Sequence, residues 1–132
     1  MGVYIIKSKH ANWFKVGHHK ISASRPNVYY RYINRGFYSV RCPPELQNRV
    51  GFWDVELLYF FKNLSVYEER RIHRDLRGRY RNYGEWYFEL DIADAVNLIT
   101  TKYQGVNEMP TRADLNDAFQ WRNQVRERTS YN

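Results

Sequence analysis

One stretch, Ser65–Tyr87 (SVYEERRIHRDLRGRYRNYGEWY), limits what this chain can fold into more than any other. Ser65 followed three residues later by Glu68 is a capping box, which predicts a helix starting there and running to about Tyr80. At about 100° per residue, Ile72, Leu76 and Tyr80 form one stripe facing the core, and Glu69 and His73 fall inside it. Arg70, Arg74, Arg77 and Arg81 share a different, outward face. A carboxylate on a core-facing stripe is costly unless it is paired or holds a metal. Glu68 is already engaged at the helix start, so Glu69 is left with two readings, a buried ion pair with an arginine or a metal ligand.

The 132 residues suffice for one domain with a modest core, and 43% are hydrophobic, which predicts a folded chain. The lone Cys42 excludes an internal disulfide framework and fits a reducing, intracellular compartment. The opening MGVYIIKSK has too short an apolar run for a signal peptide or a membrane span. The net charge is +7, and 17% of residues are aromatic. Basic charge interleaved with aromatic rings points to a nucleic-acid partner.

Gly2 to Lys7 reads as a strand, Ser8 to Asn12 as a turn and Trp13 to Val16 as a second strand, so the chain begins with a hairpin. Tyr4 and Ile6 point to one face, and Val3 and Ile5 to the other. Gly17 ends the second strand, where backbone can approach a ligand closely. His18, His19 and Lys20 follow. Adjacent histidines do not share a face and make a poor metal pair. One of them is a candidate phosphate donor or proton carrier, and two solvated loop histidines are the plain alternative.

Pro26 opens a helix carrying Arg31 and Arg35 on one face, and Gly36 stops it. Val55 to Phe61 reads as a buried central strand. Asn82-Tyr83-Gly84 is a turn, and Trp86, Phe88 and Leu90 alternate with Glu85, Tyr87 and Glu89 in a one-sided strand. Asp91 caps a helix from Ile92 to about Tyr103, with Ile92, Ala95, Val96 and Ile99 inward. Pro110 opens a last helix with a thin apolar stripe.

These residues resemble the GIY-YIG endonuclease superfamily. Gly2-Val3-Tyr4 stands at the first motif and Lys15-Val16-Gly17 at the second. The chain is most similar to a branch, common in viruses and phages, with Lys for the second motif's Tyr. In that branch a Glu, a His four residues on and a later Gly-Glu-Trp recur, here Glu69, His73 and Gly84-Glu85-Trp86. The resemblance covers about residues 1–90. Together with the candidate boundary at Gly105–Pro110, the chain reads as an α/β (α+β) domain over residues 1–105, with a three-stranded, mostly antiparallel sheet flanked by helices, and a C-terminal helical extension over 106–132.

The resemblance also implies roles. Tyr4 would sit beside the scissile phosphate and help deprotonate the water. Lys15 would polarise the nucleophile or hold a phosphate oxygen, and His18 would act on the phosphate or the leaving group. Arg31, or Arg25 by its spacing from the second motif, would steady charge on the phosphate. Glu69 would hold one divalent ion, Mg²⁺ or Mn²⁺, with His73 orienting it or touching the active-site water. Lys20, Arg25, Arg35, Arg70, Arg74, Arg77 and Arg81 would contact DNA. The expected activity is hydrolysis of DNA phosphodiester bonds. A nucleic-acid-binding module without cleavage is the alternative, and a protein-interaction factor the third reading. No separate recognition domain is evident, so specificity would be low or would come from a partner; a homodimer or a specificity partner is the expected association.

Overall fold

The computed structural model describes residues 2–19, 41–50, 54–88, 91–109, 113 and 120. Strands β1 (Gly2–Ser8) and β2 (Trp13–His19) form the opening hairpin. A single 3-10 turn, Pro44–Leu46, precedes β3 (Val55–Phe61). Helix α1 (Val66–Arg77), strands β4 (Arg81–Tyr83) and β5 (Trp86–Phe88) and helix α2 (Ala93–Thr101) complete the described elements. No described helix is long and apolar enough to cross a membrane.

Among the described residues the sheet has five strands in the order β3-β1-β2-β5-β4, every neighbouring pair antiparallel, where three were expected. Strands β4 and β5, the second of them legible in the alternation from Trp86, flank a tight reversal at Gly84, whose φ of 60° is a left-handed value that glycine adopts without steric cost. Asn82 and Tyr83, expected in the turn, belong to β4. Strand β3, expected at the centre, lies at one edge. Its run of apolar residues is covered from the two faces and from its open side. There Asn107 bridges to Phe61, and the Glu108 N–H donates to the Phe60 carbonyl at 2.7 Å. Such cover keeps an apolar edge from pairing with another chain.

Both sheet faces are buried, in two separate clusters. Tyr4, Ile6, Trp13, Phe60 and Trp86 pack with Leu46 and Val50. On the other face Val3, Ile5, Phe14, Val16 and Tyr87 meet Ile72 and Leu76 of α1 and Ala95, Leu98 and Ile99 of α2. Strand β5 is therefore not one-sided. Trp86 and Tyr87 are both fully buried, and Phe88, near the sheet's β4 edge, is 41% exposed. Leu98 faces inward on α2, whereas Ile92 and Val96 are only partly buried.

The Ser65 capping box forms as the sequence predicts, with the Ser65 N–H donating to Glu68 Oε2 at 2.9 Å. Helix α1 stops at Arg77, a turn earlier than expected. Gly78 caps it, and the Tyr80 N–H reaches back to the Leu76 carbonyl at 2.9 Å. Arg81 is thus not on the helix. Asp91 Oδ1 accepts the Ala93 N–H at 2.9 Å, one residue before the α2 cap at Ile92. Beyond Met109, residues 113 and 120 are helical, and the rest of the expected last helix lies outside the described residues.

Candidate active site

The first half of the site is set by strand register. Tyr4 lies opposite Gly17, and Lys15 lies opposite Ile6, so Tyr4, Lys15 and Gly17 belong to one face. Gly17 sits within β2 rather than ending it. A Cβ there would stand 2.3 Å from both Cζ and the hydroxyl oxygen of Tyr4, so only a bare Cα lets the phenol lie across β2. Lys15, 5% exposed, then donates from Nζ to the Tyr4 hydroxyl at 2.9 Å. Its Nζ also stands 3.5 Å from Glu85 Oε2.

Burial pushes the Tyr4 phenol's pKa up; the Lys15 charge pulls the other way, and the carboxylates of Glu85 and Glu69 add to the rise. Burial alone would lower the pKa of Lys15, but the Tyr4 oxygen and Glu85 outweigh it and the net direction is up. Near neutral pH the pair is therefore a protonated phenol beside an ammonium.

The second half comes from α1, which packs on the opposite face. Glu69 is 8% exposed, and its Oε1 stands 3.2 Å from His73 Nε2, a pairing one helical turn long. Among the described residues no guanidinium locks this carboxylate, and Oε2 has no hydrogen-bond partner. His73 Nδ1 meets the Tyr87 hydroxyl at 2.5 Å, and that hydroxyl also lies 3.4 Å from the His73 carbonyl oxygen. The pKa of Tyr87 is raised, by burial first and against the nearby charge of Arg77.

Glu85 joins the two halves. It leads into β5, where its carbonyl accepts the Val16 N–H at 3.2 Å. One ligand atom each from Glu69, His73 and Glu85 lie within 4.8 Å of one another. They open onto a polar cleft of about 350 Å³, lined by these three with Val66, Arg70 and Arg77.

Of the sequence-derived site residues, Tyr4 and Lys15 are in contact, and Glu69 and His73 are in contact. His18 lies in β2 opposite Val3, half-buried and not in a loop. Arg70 and Arg77 line the cleft; Arg74 is exposed beside them. Arg81 has left this row, and its guanidinium stacks 5.1 Å from the Phe88 ring and 5.5 Å from the Trp13 ring. Lys20, Arg25, Arg31 and Arg35 lie outside the described residues. Sequence reasoning did not assign Glu85 or Tyr87 to the site. Gly84-Glu85-Trp86 was the available signal for Glu85; for Tyr87, a strand position that looked outward, there was none. No family model, curated protein or solved structure matches the chain.

Proposed function

We propose that this chain is a metal-dependent endonuclease of the GIY-YIG kind that hydrolyses DNA phosphodiester bonds. The reading rests above all on Glu69, a buried carboxylate held by an imidazole, with one oxygen unpartnered among the described residues at the edge of an open cleft. A carboxylate in that setting suits a hard divalent ion such as Mg²⁺ or Mn²⁺, which keeps several of its waters. A bound ion of this class supplies positive charge that acidifies water and offsets charge on phosphate oxygens.

The chain's own groups divide the remaining work. Arg70 and Arg77, on the cleft rim, attract and hold the phosphate backbone. The Lys15 ammonium, buried and held on the Tyr4 oxygen, faces developing charge with an oriented donor. The Tyr4 oxygen, its phenol protonated, orients the attacking water rather than standing ready as a phenolate base. Burial of Lys15, Glu69 and His73 limits water around these groups and strengthens each interaction.

The test is plasmid nicking and cleavage of duplex, branched and nicked DNA with and without Mg²⁺ or Mn²⁺. Glu69→Ala is expected to abolish cleavage while leaving DNA binding. Normal nicking by that variant would overturn the site. DNA binding with no cleavage of any form, and no heat on cation titration, would leave a binding module instead.

A further inference from the structure

We infer that Glu85 and His73 join Glu69 as direct ligands, making a three-donor centre that takes Mn²⁺ in preference to Mg²⁺, with Tyr87 positioning the imidazole. The inference rests on the nuclease reading only in placing a cation at Glu69, and its test separates the two.

The first support is spacing. An octahedral ion with bonds of about 2.1 Å sets its ligand atoms about 3 Å apart when adjacent and about 4.2 Å apart when opposite. Ligand atoms already within 4.8 Å of one another need only small side-chain adjustments. Glu85, with a side chain 44% exposed on the turn leading into β5, has the freedom to make them.

The second support is the surroundings of His73. A metal-binding imidazole has its other ring nitrogen held by a partner that fixes its orientation. His73 Nε2 lies 3.2 Å from Glu69 Oε1, Nδ1 lies 2.5 Å from the Tyr87 oxygen, and the Tyr87 hydroxyl donates to the His73 carbonyl at 3.4 Å. With Nε2 turned to an ion, the imidazole keeps its proton on Nδ1 and donates it to the Tyr87 oxygen. The Tyr87 hydroxyl retains the His73 carbonyl as its own acceptor. That arrangement needs no ring to move, so the imidazole is already oriented for Nε2 ligation.

The third support is donor chemistry. Mg²⁺ favours an all-oxygen shell, whereas an imidazole raises affinity for later divalent ions. One nitrogen and two carboxylates therefore favour Mn²⁺.

Calorimetry and electron paramagnetic resonance of the full chain with Mn²⁺, and competition by Mg²⁺, test this. The wild type is expected to bind one Mn²⁺ at least ~10-fold more tightly than Mg²⁺. Glu85→Gln and Tyr87→Phe should each weaken Mn²⁺ by about 10-fold or more, and Tyr87→Phe should leave Mg²⁺ nearly unchanged. Circular dichroism checks the fold; Glu85, on its partly exposed turn, provides a variant that does not disturb the core. Equal affinity for the two ions, or wild-type Mn²⁺ binding by Glu85→Gln, overturns the inference. In that case Glu69-dependent cleavage would leave the nuclease standing with a single carboxylate ligand. Selective Mn²⁺ binding without cleavage of any DNA would do the reverse.

Discussion

At the scale of single residues, the site depends on what Gly17 lacks. Its missing side chain is the space through which the Tyr4 phenol reaches Lys15. Both neighbours are buried, and the contact at 2.3 Å is with an aromatic ring rather than a flexible tip. Gly17→Ala should therefore displace Tyr4, cost about 1–3 kcal/mol of stability and suppress cleavage. Adding Tyr4→Leu to that variant should restore much of the stability, by clearing the clash, but none of the cleavage. Chemical denaturation and nicking assays on both variants check this. A Gly17→Ala protein as stable and active as wild type would show that the phenol does not need that space. The sequence placed Tyr4 in the first strand and Gly17 near the end of the second, but their contact exists only through the β1–β2 register.

At the scale of elements, the early end of α1 divides the four arginines. Helical spacing put Arg70, Arg74, Arg77 and Arg81 on one ridge. Gly78 stops the helix and sends Arg81 into β4, where it covers the rings of Trp13 and Phe88. Arg77 remains on the cleft rim. Arg77→Ala should thus weaken DNA binding and reduce the slope of log affinity against log salt by about 1. Arg81→Ala should change that slope much less. Fluorescence anisotropy across a salt series measures both, and equal losses from the two would restore the single ridge. The helix start was legible because a capping box is local. Its end was not, because the apolar stripe continues through Tyr80, and only the packing of the following strands decides where the chain leaves the helix.

At the scale of the whole molecule, the buried site makes stability fall in alkali. Tyr4, Tyr87 and Lys15 all hold their protons to higher pH in the folded chain than their ordinary values allow. Unfolding above about pH 10 therefore releases protons. The stabilisation is complete below that range and is lost as pH climbs toward the raised folded values. Denaturation at pH 8, 10 and 11 should show this decline, and Tyr87→Phe should make it shallower by up to about 1.4 kcal/mol per pH unit. An unchanged slope in Tyr87→Phe would mean that this phenol titrates alike in both states.

Sequence alone determined whatever rests on short-range periodicity. It specified the opening hairpin, the capped helix with Glu69 and His73 on its inward stripe, and the opposite facing of Tyr4 and Lys15 from their strand neighbours. Each follows from a fixed repeat of side-chain direction along one element. Tertiary structure decided which elements meet. It put β3 at an edge, made the sheet five strands wide and buried Tyr87 under His73. It also brought Glu85 to where Lys15 from one face and Glu69 and His73 from the other come within its reach. Periodicity reports where a side chain points, not what stands opposite it, and that is set by strand order and helix packing across the whole chain.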